Sequence, residues 1–156
     1  MRVVPSLLAA CGGFLLAVLW MDLMFDVQVL RHRRRGAELP EPVLASIAAY
    51  YRRVTTTARP MGHLIGSVMA VTVIASAVQI AAGDGSRWLA AASLALCGGP
   101  ILLAMARVYP NAVRLAARSD GAPRQSALAR SICHDHLVCL LGIAGFLVLQ
   151  LSVAAR

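Results

Sequence analysis

Four long apolar segments constrain the fold of this chain more than any other feature of its sequence. They cover residues 3–27, 61–82, 88–109 and 132–154. A helix needs about 20 apolar residues to cross the hydrocarbon core of a bilayer. Backbone groups in lipid must find partners within the protein, and the segments lack a period-two alternation. Helices are therefore expected rather than strands.

The composition agrees with a membrane protein. The chain is 59% hydrophobic and only 14% charged, whereas a soluble domain carries about 25% charged residues. We predict an all-α integral membrane protein, built as an up-down-up-down bundle of four transmembrane helices. The whole chain, residues 1–156, is expected to form this single membrane domain.

The arginines predict an orientation. The region between the first and second segments holds seven of them. The region between the third and fourth holds five when Arg107 at the rim of the third segment is counted, and only Arg2, Arg87 and Arg156 lie elsewhere. Because positively charged loops stay in the cytosol, both termini are expected outside and both long loops inside. The absence of lysine and the abundance of alanine favour a bacterial cytoplasmic (inner) membrane. The lipid bilayer then explains the formal charge of +8 without a nucleic-acid partner.

The two long loops carry helical patterns of their own. Leu44, Ile47 and Tyr51 recur at helical spacing after Pro42, which predicts an amphipathic helix. This helix would either lie on the membrane or extend the second span. The second loop predicts a helix to about Arg118, a turn over 119–121 and a new helix from 123. We therefore expect the helices to project beyond the membrane on the cytosolic side.

Small residues and a proline mark the spans. Gly62 and Gly66 form a G-x-x-x-G pair, and Gly142 and Gly145 lie on the fourth span. Both pairs suit close helix packing, either within one chain or in a homo-oligomer. Pro100 lies in the middle of the third span, where it predicts a kink.

Polar side chains concentrate near one depth of the predicted bundle. Counting about 20 residues from the outer end of each span brings eight of them to the cytosolic border: Asp22, Asp26, His63, Arg107, Asn111, His134, Asp135 and His136. Two interpretations are open. These groups either form ordinary pairs at the interface with water, or line a polar pocket at the cytosolic mouth of the bundle.

The pocket interpretation assigns roles to these residues. The candidate catalytic residues are Asp22, Asp26, His63 and His134. The candidate substrate-binding residues are Arg107, Asn111, Asp135 and His136. Two close carboxyl groups in a poorly hydrated site repel each other when both are ionised, so one of them is expected to keep its proton. The site would then hold a proton donor beside an acceptor. Because His134 and His136 are two residues apart, only one of them can point inward.

A metal site is a further hypothesis for the same group. Asp22, Asp26, His63 and His134 would suit a divalent iron, manganese or zinc ion. The Glu-x-x-His and His-Glu-x-x-His signatures of helical metal sites are absent from the sequence. The sequence therefore assigns no metal, and the cofactor stays unknown.

The last third of the chain resembles a known family. The stretches "YPNAVRLAA" and "LARSICHDHLVCLLGIAGFLVLQL" look like a broad family of small four-span membrane proteins that includes the anthrone oxygenases. Pro110, Asn111 and His134 would correspond to residues that recur in that family. The resemblance implies oxidation of a polycyclic phenolic substrate without an obvious cofactor motif.

Three functional hypotheses follow. The first is a small membrane protein whose polar pocket binds or processes a lipophilic small molecule, oxygenase-like at most. The second is a non-catalytic structural subunit of a larger membrane complex. The third is a transporter that works as an oligomer. Nucleotide-binding loops and a nucleophile elbow are absent from the sequence, and whether the chain is an enzyme stays open.

Overall fold

The computed structural model describes residues 3–32, 38–82 and 86–155 of the chain. Four helical stretches are long and apolar enough to cross a membrane: Val3–His32, Arg59–Ala81, Arg87–Ala117 and Ala122–Ala154. The predicted all-helical bundle with four membrane-spanning helices is confirmed.

The described residues form six α-helices. These are α1 (Val3–Asp26), α2 (Glu41–Arg52), α3 (Arg59–Ala81), α4 (Arg87–Leu103), α5 (Tyr109–Ala117) and α6 (Ala122–Ala154). Shorter segments continue three of them: a 3-10 turn over Val27–His32 after α1, and π-helical turns over Arg53–Thr57 after α2 and Ala104–Val108 after α4. The last of these joins α4 to α5, so the third membrane stretch is one helical rod.

The four spanning helices surround one another in a closed order. α6 packs along α1 and α4, and α3 packs against α1 and α4 on the opposite side. Leu8, Leu15, Ile143 and Phe146 form the buried core between α1 and α6, together with Cys97 of α4. Large apolar side chains such as Trp20, Leu102 and Leu141 point outward, as expected for surfaces that face lipid.

Helices extend past the spans at one end, which we call the arginine-rich end. α6 begins at Ala122, and the third stretch continues to Ala117, on either side of the turn that the sequence predicted over 119–121. The predicted extension of the helices beyond the spans is thus confirmed, whereas the span limits themselves stay a prediction. The counted residues Arg2, Arg33, Arg34, Arg35 and Arg156 lie outside the described residues.

The amphipathic helix α2 is separate from α3 and packs its apolar face against other helices of the chain. It buries Leu44, Ile47 and Tyr51 in a second core, which Leu115 of α5 and Ile132 of α6 complete. The apolar faces of α2, α5 and α6 cover one another there, which removes them from water. An ion pair of 2.6 Å between Arg118 and Glu41 also joins α2 to the end of α5.

Pro100 lies where α4 and α6 approach each other closely. It lies inside α4, and the π-helical turn Ala104–Val108 follows directly. A proline removes a backbone donor, and a π-helical turn is one known response of a helix to such an interruption. The pyrrolidine ring faces Gly142 of α6, where an added Cβ would come within 2.5 Å of Pro100 Cγ. Gly142 therefore serves the close packing that the sequence predicted.

The Gly62–Gly66 pair does not pack against another helix. A Cβ added at either glycine would meet nothing within 4 Å. The first half of α3 buries none of its residues, and only Thr72 and Ser76 of the whole helix are buried. The prediction of close packing at this pair is wrong for the single chain, because α3 stands away from the bundle here and leaves a cavity.

Candidate functional site

A buried cluster joins α1, α2 and α6 near the arginine-rich end. The carboxylate of Asp26 accepts hydrogen bonds from the Tyr51 hydroxyl at 2.7 and 2.9 Å. It also contacts His136 Nδ1 at 2.6 Å. All three side chains are buried, so each polar group finds its partner inside the protein, as burial requires.

A second carboxylate lies beside this cluster. Asp22 Oδ1 accepts a hydrogen bond of 2.6 Å from the Tyr50 hydroxyl. Asp22 Oδ2 lies 3.7 Å from His136 Nε2. The Tyr50 ring stacks on Phe25 with ring centroids 4.0 Å apart, which holds its hydroxyl toward Asp22. His136 therefore lies between two carboxylates, with one ring nitrogen facing each.

The two tyrosines act as donors in this arrangement. Burial, then the charges of Asp22 and Asp26, raises the pKa of the Tyr50 and Tyr51 phenols well above its usual range. Both hydroxyls therefore keep their protons at physiological pH. The cluster holds two carboxyl groups, Asp22 and Asp26, against one histidine, so acidic side chains outnumber basic ones in it.

The cavity of about 390 Å³ lies between this cluster and α3. Its wall is mostly apolar. The polar residues that line it are Asp22, Tyr51 and His136 on one side and Arg59 and His63 of α3 on the other. Gly62 and Gly66 also line it. Such a volume is typical of ligand pockets, which combine apolar walls with a few polar groups.

The cavity is open toward the outside of the bundle. Met105 and Tyr109 line it and are 59% and 56% exposed. Gly62 and Gly66 on the facing side of α3 are exposed as well. The opening therefore lies between the first half of α3 and the junction of α4 with α5, within the lengths of the spanning helices.

The structure divides the eight predicted site residues into two groups. Asp22, His63 and His136 line the cavity, and Asp26 lies directly behind His136. Arg107, Asn111, His134 and Asp135 do not line it. The histidine brought inward is thus His136, whereas the catalytic set proposed from the sequence named His134, whose side chain is 77% exposed.

The second group forms a separate polar contact between α6 and the π-helical turn Ala104–Val108, centred on the buried Asp135. Arg107 Nη2 lies 3.3 Å from Asp135 Oδ2 and 3.2 Å from Ser131 Oγ. His134 Nδ1 lies 3.4 Å from the same aspartate. These residues match the interface pairs of the alternative interpretation. Asn111 is half-buried on α5.

Tyr50 and Tyr51 were not among the predicted site residues. Their place at the cluster depends on how α2 packs against α1 and α6, which the sequence does not define. A signal was nevertheless present, because Tyr51 lies on the apolar face of α2 and a buried tyrosine hydroxyl needs a hydrogen-bond partner.

The four hypothetical metal ligands are not assembled at one point. His134 faces away from the cavity, and Asp26 is already bonded to Tyr51 and His136. Across the three described ranges, no group of three or more His, Cys, Asp or Glu side chains could hold a metal ion. The hydrogen bonds of the cluster thus occupy the groups that a metal would need.

Comparison with known proteins assigns the chain to a family. The model of the SHR3 chaperone family, described as ER membrane protein SH3, matches residues 2–154. Neither the curated proteins nor the solved structures include a significant match.

The match corrects two predictions. The resemblance to the family of the anthrone oxygenases is wrong, because the matching family covers nearly the whole chain and is a different one. The bacterial inner membrane is also wrong, since the family is described as an ER membrane protein. The multi-pass placement agrees with the family. Among the three functional hypotheses, a non-catalytic membrane protein fits a chaperone family better than an oxygenase does.

Proposed function

The chain belongs to the SHR3 chaperone family, and on that premise we propose that it is a non-catalytic membrane chaperone. It holds a transmembrane helix of another membrane protein against the open side of its cavity. The observation that carries this proposal is the first half of α3, which buries no residue and borders an apolar cavity that opens within the spans.

Physical chemistry supports a helix as the occupant of this side. Association of helices in lipid depends on close packing at small residues. Lipid tails and apolar side chains are equally apolar, so the hydrophobic effect does not drive the association. Gly62 and Gly66 have nothing within 4 Å of an added Cβ, so a partner backbone can approach α3 closely there. The rim residues Met105 and Tyr109 add flexible and aromatic contact surface.

The test uses a synthetic apolar helix as client. The full chain is reconstituted in liposomes with a peptide of about 20 leucine and alanine residues, and energy transfer between labelled chain and labelled peptide measures association. Gly66→Trp fills the cavity side and is expected to weaken association about tenfold. Gly13→Trp is the matched control, because Gly13 also has nothing within 4 Å but does not line the cavity.

Two results would overturn the proposal. One is equal association of the wild type and Gly66→Trp. The other is the absence of any association between the wild-type chain and the peptide.

The proposed orientation places the arginine-rich end in the cytosol, following the excess of arginines there. Thr57 and Ser86 lie at opposite ends and are exposed. In sealed microsomes, an impermeant maleimide is expected to label Thr57→Cys directly and Ser86→Cys only after permeabilisation. The reverse pattern would contradict this orientation.

A lipophilic small molecule is the second candidate occupant. The cavity volume of about 390 Å³ favours it, because drug-sized ligands occupy about 300–1,000 Å³. Mass spectrometry of the chain purified in mild detergent tests this candidate. A stoichiometric small molecule that Gly66→Trp displaces would support it, and its absence from the wild type would exclude it.

A further inference from the structure

The two aspartates of the cluster differ in how fully they are satisfied. Asp26 accepts the single proton of the Tyr51 hydroxyl, which is shared between its two oxygens, and a hydrogen bond from His136, and it is fully buried. Asp22 accepts one hydrogen bond, from Tyr50 to Oδ1. Its Oδ2 lies 3.7 Å from His136 Nε2, beyond hydrogen-bond distance. Asp22 therefore presents the acceptor oxygen that the cluster leaves available on the cavity wall.

The position of Asp22 makes a cation from outside the chain favourable. The residue lies within the membrane-spanning stretch Val3–His32, where ionisable side chains tend to pair, and its side chain is only 16% exposed. Carboxyl groups outnumber basic groups in the cluster, two to one. A mostly apolar cavity offers little hydration, so an added positive charge would be stabilised there.

We propose that the cavity receives a basic side chain, lysine or arginine, from the transmembrane helix that docks across its open side. This inference rests on the proposed function and specifies the client. The observation behind it is that Asp22, with one oxygen lacking a hydrogen bond, lies on the wall of an apolar cavity that opens between the first half of α3 and the junction of α4 with α5.

The dimensions agree with one side chain rather than a whole helix. A helix with its side chains is about 10–12 Å wide, so it does not fit a volume of about 390 Å³. A long basic side chain does fit. Its methylene stem would lie along apolar residues such as Leu19 and Ile101, and its charged end would reach Asp22.

Basic groups also face the cavity, and they define the competing arrangement. Arg59 and His63 line the α3 side and are exposed. A long arginine side chain at a helix end reaches water on its own, so Arg59 does not require an acidic partner. Asp22, by contrast, has a short side chain that is only 16% exposed. The alternative is therefore a client helix with an acidic side chain that binds Arg59 and His63. The experiment must distinguish it from a basic side chain that binds Asp22.

The experiment extends the liposome assay to guest residues. The apolar host peptide carries one guest position near each end, so that either orientation brings a guest to the depth of Asp22. The guests are leucine, lysine, glutamine and glutamate. The lysine guest is expected to bind the wild-type chain about tenfold more tightly than the leucine guest.

Variants of the chain assign this preference to Asp22. Asp22→Asn keeps an acceptor for the Tyr50 hydroxyl but loses the charge, and is expected to reduce the lysine preference below about twofold. Its unchanged affinity for the leucine guest shows that the fold is intact. Asp22→Glu restores the charge and should recover the preference. Glu41→Gln removes one carboxylate at the same end, outside the cavity, and should leave the preference unchanged.

Each remaining outcome is decisive. Equal binding of the leucine and lysine guests overturns this inference and leaves the proposed function standing, whereas failure of every guest to bind overturns both. A lysine preference that survives Asp22→Asn or disappears in Glu41→Gln overturns the role of Asp22. A preference for the glutamate guest overturns the inference in favour of Arg59 and His63.

Discussion

His136 on α6 and Asp26 on α1 are joined by a contact of 2.6 Å between Nδ1 and Oδ2, although 110 residues separate them. Both side chains are buried, and α1 and α6 form the most extensive helix pair of the bundle. The contact fixes the rotation of α6 against α1. It also leaves the other ring nitrogen of His136 facing Asp22 at the cavity wall.

Substitution of the two nearby histidines should have very different effects on stability. His136→Ala leaves the buried carboxyl group of Asp26 without its histidine partner. The variant is expected to lower the free energy of unfolding by about 3–5 kcal/mol. His134→Ala removes an exposed side chain and should cost less than about 1 kcal/mol. Unfolding by dodecyl sulfate in mixed micelles, followed by circular dichroism, gives both values. Equal losses would contradict the inward position of His136.

The Tyr51 hydroxyl should contribute measurably to the same buried network. Tyr51→Phe keeps the ring in the core but removes the donor to both oxygens of Asp26. A hydrogen bond to a charged group contributes about 1.5–3 kcal/mol, so a loss of this size is expected. Tyr109→Phe is the control, because Tyr109 is 56% exposed, and should change stability by less than about 0.5 kcal/mol. If Tyr51→Phe loses no more stability than the control, the buried network does not stabilise the fold.

The sequence predicted the spans and the depth of the polar groups because both follow from local quantities. Hydropathy defines which helices can face lipid, and the rise per residue defines how deep a side chain lies. Asp22, Asp26 and His136 therefore came to the same level by counting alone. The choice between His134 and His136 needs the rotation of α6, which depends on packing against α1.

The parts that the sequence missed depend on contacts between distant segments. The partners of Tyr50 and Tyr51 become defined only when α2 folds back onto α1 and α6. The cavity at Gly62 and Gly66 arises because α3 stands away from the bundle, whereas Gly142 packs tightly on Pro100. Small residues at helical spacing predict close approach but do not indicate whether the approaching helix belongs to the same chain.

Alkaline titration should show that the paired phenols hold their protons. The pKa values of Tyr50 and Tyr51 are raised by burial and by the neighbouring carboxylates. In a Tyr109→Phe background, where these are the remaining tyrosines of the chain, no phenolate absorbance at 295 nm is expected at pH 11, about one unit above the usual tyrosine pKa.

The same shift predicts the direction of the pH dependence of stability. A raised pKa means that the folded state binds the phenolic proton more tightly than the unfolded state does. The corresponding stabilisation is complete below about pH 10 and is lost as the pH rises further. The double variant Tyr50→Phe, Tyr51→Phe should show a smaller loss of stability between pH 9 and 11, since it has no such protons to release. A phenolate signal at pH 10 in the folded single variant would contradict the buried pairing.

The contact between Gly142 and Pro100 should make α6 intolerant of a single methyl group. In Gly142→Ala, the new Cβ would lie 2.5 Å from Pro100 Cγ and 3.2 Å from the Leu96 carbonyl oxygen. A proline ring and a backbone carbonyl cannot rotate away, so α4 and α6 must separate, at an expected cost of about 1–3 kcal/mol. Gly145→Ala places its Cβ 3.5 Å from a Leu96 methyl group, which is ordinary van der Waals contact, and should change stability by less than about 0.5 kcal/mol. Unfolding in mixed micelles measures the loss of stability in each variant. If Gly142→Ala loses no more stability than Gly145→Ala, α4 and α6 do not meet at this proline.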